Sequence, residues 1–190
     1  MSRVLCQLSY PAVETHSTCR SARPPDCYDA NVQSDYDIRP ASLADVDAIA
    51  AFQTACWREA YRGLVPDAYL DGVSVGDRAV RWRERLESGA RQVAIGWSGA
   101  EIAGVISWGD AGVGSPALEL KSLYVGAPHR GCGLAAMLTL AALGENPAQL
   151  WVFEQNPRAQ AFYRKVGFEP DGTSRVDPDT GVPEIRMIRP

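Results

Sequence analysis

The spacing of apolar residues changes several times along the chain, and each change marks an element. Val46, Ile49, Ala50 and Gln53 fall at helical spacing, which continues through Trp57 and Tyr61 until Gly63. Ser42 stands as the expected cap of that helix with Asp45 at its third position, and residues 36–40 form a short strand ended by Pro40. Residues 66–70 read as a short second helix and 75–86 as a third. Two strands, 92–97 and 101–108, flank the turn Ser98-Gly99-Ala100, which is a hairpin signal. A loop over 110–116 leads to a strand over 117–125. From Gly133 the residues Leu134, Met137, Leu138 and Ala141 again recur at helical spacing, with Gly144 as the stop. A strand over 149–154 follows, then a helix over 158–165 opened by Asn156-Pro157 and closed at Gly167. Phe168 starts the next strand, 177–181 is a turn, and 184–188 is the last strand. One strand, helices, three strands, helix, strand, helix and two strands predict an α/β class: a mixed, mostly antiparallel sheet with crossover helices.

Residues 1–35 break this patterning. Ser, Thr, Pro, Arg and Asp follow no period there, with Arg23-Pro24-Pro25-Asp26 in the middle. The segment reads as a largely disordered extension, and 36–190 as the single domain. Deleting residues 1–34 removes no periodic apolar segment, so the Tm in thermal unfolding is expected to change little; a large fall would show that the extension packs on the domain. The formal net charge of -4 argues against a nucleic-acid backbone as partner. No apolar run approaches the roughly 20 residues of a membrane helix. Five cysteines without a C-x-x-C pair fit a reducing cytoplasm. Cys6, Cys19 and Cys27, with His16 nearby, lack metal-ligand spacing, so no metal is expected.

The chemistry concentrates between Leu123-Tyr124-Val125 and the helix from Gly133. Arg130-Gly131-Cys132-Gly133-Leu134-Ala135 joins them. Glycines let a backbone approach a ligand closely, and the first turn of a helix offers unpaired N–H groups and a dipole that favours anions. Together these make a phosphate cradle. It is not a nucleotide-triphosphatase loop, because no Gly-Lys-Ser/Thr follows, and Ala136 stands where a dinucleotide fingerprint needs its third glycine. The pattern Arg-x-x-Gly-x-Ala resembles the coenzyme A pyrophosphate loop of the GNAT N-acetyltransferases, which reads Gln/Arg-x-x-Gly-x-Gly/Ala. Downstream, Asn156-Pro157 and Phe162-Tyr163 followed by Gly167-Phe168 resemble the same family in the order it requires. The resemblance covers roughly 36–189.

The resemblance implies a GNAT fold, acetyl-CoA as co-substrate, and roles for individual residues. Leu123, Tyr124 and Val125 would bind the pantetheine and thioester carbonyl through their backbone, and Arg130 to Ala135 the diphosphate. Asn156 would bond the pantetheine arm, and Tyr163 would face the thioester sulfur. Residues 57–71 resemble a helix pair that borders the acceptor pocket, which nominates Trp57, Tyr61 and Tyr69; packing aromatics are the competing account. Amine attack on a thioester needs a proton acceptor and a donor to the leaving thiolate, and a phenol with pKa about 10 can donate at neutral pH. Glu119, upstream on the strand that feeds the loop, is the first candidate base and Glu154 the second. Lys121 shares the parity of Glu119 on a regular strand, so an ion pair competes with that role. The resemblance places Cys132 at the diphosphate rather than the thioester, which argues against a covalent acyl-enzyme, and His129 reads as a loop residue. The expected activity is direct acetyl transfer to a small-molecule amine in a ternary complex. A protein amino-terminal or lysine acetyltransferase and a non-catalytic CoA-binding module stand as alternatives, and a homodimer is left open.

Overall fold

The computed structural model describes residues 35–63, 65–112 and 118–190. The extension 1–34, Leu64 and residues 113–117, including the expected start of the fourth strand at Ala117, lie outside them. Among the described residues seven strands form one sheet in the order β1-β2-β3-β4-β5-β7-β6: β1 Asp37–Pro40, β2 Gln92–Ser98, β3 Glu101–Asp110, β4 Leu118–Val125, β5 Ala148–Phe153, β6 Glu169–Val176 and β7 Pro183–Arg189. Neighbours are antiparallel except β4 and β5, which run parallel because helix α4 (Leu134–Leu143) crosses between them. Helices α1 (Val46–Ala60), α2 (Asp67–Asp71) and α3 (Val75–Glu87) precede β2, and α5 (Pro157–Lys165) follows β5. The order of elements is the one the apolar pattern predicts, with ends shifted by a residue or two.

The first helix starts differently from its expected form. Leu43–Asp45 is a separate 3-10 turn, and α1 begins at Val46. Asp45 accepts from Ser42 N and Ser42 Oγ, both at 2.8 Å, and from Arg39 at 3.0 and 3.2 Å. The Arg39 hydrogen bonds hold its carboxyl down at about 2, opposed by partial burial. A carboxyl with a depressed folded-state pKa contributes stability that is present above its unfolded value and lost as pH falls through the folded value. Asp45→Asn should therefore cost about 1 kcal/mol at pH 7, discounted because Arg39 is 42% exposed. The gap from wild type should close between pH 4 and pH 2 in urea titrations; a gap independent of pH would remove Asp45 from this account.

Two core faces sandwich the sheet. On the α4 and α5 side, Leu120, Leu123 and Val125 of β4 pack with Leu134 and Leu138, with Leu150 and Val152 of β5, and with Tyr163. On the other side, Tyr124 and Phe153 pack under Trp57, Tyr61 and Leu70. Residues three apart, Leu120 and Leu123, share a face because β4 is not regular. Ser122 pairs with Ser107 and Leu120 with Trp108, so the register shifts at Lys121, which forms a bulge against β3. The even alternation expected of this strand is thus interrupted at Lys121. Helix α4 approaches β2 and β3 closely: a Cβ on Gly96 would sit 2.8 Å from Leu134 Cδ1, and one on Gly104 2.8 Å from Leu138 Cδ1.

Candidate active site

The site begins where two strands part. β4 and β5 pair only over Leu118–Leu120 and Ala148–Leu150. β5 continues alongside β7 as far as Phe153 and Glu184, while β4 continues alongside β3 as far as Val125 and Gly104. Beyond Leu120 the β4 edge that faced β5 pairs with no strand among the described residues. That is the edge the sequence reading assigns to Leu123, Tyr124 and Val125.

Beyond Val125 a 3-10 turn, Ala127–His129, leads into the glycine loop. Gly131 and Gly133 have φ of 81° and 84°, in the left-handed region that disfavours side chains. Gly133 is the N-cap of α4 and brings no capping side chain, and the first α4 bond is Met137 N to Gly133 O at 3.1 Å. The N–H groups of Leu134, Ala135 and Ala136 precede that bond, and these are donors that a helix start leaves over. A Cβ on Gly133 would meet nothing within 4 Å. Open space in front of helix-terminal donors suits an anion. Cys132 is half-buried in this loop, its Sγ 3.9 Å from Arg130 O. His129 is tied to β1's approach, with Nδ1 3.1 Å from Tyr36 Oη.

Arg130 contributes backbone to the loop, but its guanidinium turns inward. Nε donates to Val125 O at 3.2 Å, and Nη1 and Nη2 donate to the two carboxylate oxygens of Glu59 at 2.8 and 2.9 Å. Asn156 caps α5, its Oδ1 accepting from Ala159 N at 3.1 Å. Tyr163 is fully buried, with Phe162 at 5.3 Å and Phe168 at 5.8 Å between ring centroids. Its cluster includes Leu123, Val125 and Val152, so it belongs to one face of the strand divergence. Trp57 and Tyr61, 4.5 Å apart, lie on the opposite face, and Tyr61 meets Phe153 at 5.3 Å. Half-buried Tyr69 lies 6.5 Å from Trp57. The three aromatics are packed together, so both sequence-level accounts of them are compatible with their placement.

Glu119 sits just before the strands part and is 3% exposed. Its Oε2 accepts from Lys121 Nζ at 3.0 Å and Gln149 Nε2 at 3.1 Å, while Oε1 is buried with no hydrogen-bond donor among the described residues. Burial pushes the Lys121 ammonium pKa down, opposed by Glu119. The ion pair considered from sequence therefore exists, across the bulge rather than along a regular strand, and it engages one oxygen of Glu119. Glu154 is exposed. Sequence reasoning missed Glu184 on β7, which is buried opposite Phe153 with Arg175 Nε at 2.8 Å. Burial pushes its carboxyl up to about 7, against the pull of Arg175. Its one legible signal was an acid opening the strand Glu184-Ile-Arg-Met-Ile188. Sequence reasoning also missed Glu59, for which no local signal exists.

An acetyltransferase (GNAT) domain profile matches residues 71–188, more than half of the chain. The chain belongs to the GNAT acetyltransferase family. Over 66 residues it is 42% identical to the peptidyl-lysine N-acetyltransferase YjaB of Escherichia coli K12, a match covering 34% of this chain and 44% of that one. The chain thus spans less than half the length of this curated relative. The PaiA N-acetyltransferase of Thermoplasma acidophilum, solved with coenzyme A, has a TM-score of 0.63 at 18% identity, covering 81% of this chain and 98% of that one. The SpeG spermidine N-acetyltransferase of Vibrio cholerae, solved as a mutant, has a TM-score of 0.59 at 16% identity, covering 81% and 92%. These two likenesses show the fold. No helix among the described residues is long and apolar enough to cross a membrane.

Proposed function

We propose that the protein is an acetyl-CoA-dependent N-acetyltransferase that acetylates a small-molecule primary amine by direct transfer. The observation that carries this reading is the parting of β4 from β5 in front of an uncapped glycine loop. Acetyl-CoA supplies an acetyl group on a thioester. Backbone N–H groups from Arg130 to Ala135 bind its diphosphate, with the α4 dipole adding to the attraction. The open edge over Leu123, Tyr124 and Val125, with Asn156, holds the pantetheine arm. Glu119 takes the proton of the acceptor ammonium directly or through water, using the oxygen that Lys121 and Gln149 leave unused. Tyr163 donates its O–H to the departing sulfur. Trp57, Tyr61 and Tyr69 shape the acceptor side, and the cytoplasm is the setting.

The packed aromatic floor of Trp57 and Tyr61, 1% and 0% exposed, favours a small acceptor over a long peptide. The spermidine acetyltransferase among the structural neighbours accords with that choice. The 42% identity with a peptidyl-lysine acetyltransferase supports a protein lysine as the second reading. A thiol-release assay with acetyl-CoA and a panel of polyamines, amino acids, aminoglycosides and lysine peptides separates them. A small amine should exceed every peptide in kcat/KM by about tenfold or more, the scale of a modest pocket preference. The reverse order would give the acceptor to a protein. CoA binding with no turnover on any amine would return the non-catalytic module.

A further inference from the structure

Arg130 is the one arginine of the glycine-loop motif, yet its charge does not face the loop's open side. Its side chain is 2% exposed, and all three guanidinium nitrogens have partners within the fold. The two-pronged edge that would grip a phosphate is occupied by both oxygens of Glu59. Glu59 lies on α1 between Trp57 and Tyr61, the residues that pack against Tyr124 and Phe153 on the acceptor side. Val125, the third partner, is the last residue of β4. One guanidinium therefore joins the end of β4, the start of the anion loop and the C-terminal half of α1.

We propose that Arg130 acts through Glu59 as a positioning residue, locking the CoA diphosphate loop to the acceptor-side helix, and that its side chain is not a phosphate ligand. The inference rests on the reading that this loop binds CoA. A bidentate buried pair fixes both distance and angle between the pieces it joins. Loop and helix then keep one relative placement, and the thioester arrives at a set distance from Trp57 and Tyr61. Loosening either partner blurs that placement for donor and acceptor together, although neither side chain touches a substrate. Misplacement of reactants by small amounts is costly to transfer reactions.

The test is a double-mutant cycle on the full chain, with CoA binding followed by calorimetry and with steady-state kinetics. Glu59→Gln, Arg130→Met and the double variant should each raise both the CoA Kd and the acceptor KM by about 3- to 30-fold, with the double no worse than the weaker-binding single, as for two groups acting as one unit. The salt dependence of CoA binding should be unchanged in Arg130→Met, because no phosphate contact is lost. A far larger loss in Arg130→Met with a flattened salt dependence, beside an unaffected Glu59→Gln, would make the guanidinium a phosphate ligand and overturn the proposal. So would a Glu59→Gln protein of lowered Tm whose Kd and KM at 25 °C match wild type, since the pair would then be structural alone. Glu59 is 43% exposed in its side chain, so its variant keeps the question open to test if Arg130→Met does not fold. Wild-type protein that binds no CoA would overturn the reading beneath the proposal, a result distinct from either of these.

Discussion

Tyr163→Phe lowers kcat by roughly 10- to 1000-fold, the range of a positioned acid, and changes the acetyl-CoA KM much less. The substitution keeps the ring between Phe162 and Phe168 and removes only the hydroxyl. Tyr163 belongs to the cluster of Leu123, Val125 and Val152, on strands that have already separated, so its place in the fold is compatible with a thioester lying between them. Negative charge on the sulfur develops only as the acyl bond breaks. A donor that meets that charge is felt in the transition state more than in substrate binding, and it therefore appears in kcat. Rates should be measured well below the Tm of both proteins, because Tyr163 is fully buried. A variant that turns over at the wild-type rate, with chemistry rate-limiting, would return Tyr163 to packing and give the proton to water.

Gly133→Asp should raise the CoA Kd by about 100-fold or more, since like charges brought together at an interface cost several kcal/mol. The fold should persist. A Cβ at this position meets nothing within 4 Å, and aspartate tolerates the left-handed φ of 84° better than most residues. A carboxylate at the start of α4 is itself favoured by the helix dipole, so Tm should fall little. The same attraction places the new charge where the diphosphate would bind. Gly133→Ala is the control: it has the backbone strain without the charge, and its loss of affinity should be much smaller. An unchanged CoA Kd in folded Gly133→Asp would move the diphosphate away from this loop.

Features that depend on local pattern were legible before the structure. The helical spacing of Val46 to Tyr61, the Ser98-Gly99-Ala100 turn and the Asn156-Pro157 start each lie within a few residues of chain, and each element formed where expected. The glycine loop was legible for the same reason. Strand β6 was the faintest: Glu169-Pro-Asp-Gly-Thr-Ser-Arg-Val176 has little apolar alternation, and its pairing with β7 sets its course. What stayed hidden was set by partners far away in sequence. The extra residue at Lys121 exists only relative to β3, and the early end of β4–β5 pairing only relative to β5. The inward turn of Arg130 depends on Glu59, 71 positions earlier. For Glu119, parity suggested the ion pair with Lys121 but could not show that one carboxylate oxygen would be left over.

The bulge at Lys121 governs how this strand tolerates change. Before it, even-numbered positions of β4 face α4 and α5; after it, odd-numbered positions do. The strand is two reading frames spliced at one residue. Removing Lys121 would fuse the frames into one regular alternation, with Leu118, Leu120, Leu123 and Val125 staying on the core face and Tyr124 on the other, so a deletion there would straighten the strand without turning any of these side chains over. Substitutions at Lys121 leave the splice in place. Loss of its charge and loss of its backbone are thus separable experiments, the first acting on Glu119 and the second on the local bend and twist that the bulge gives the donor strand.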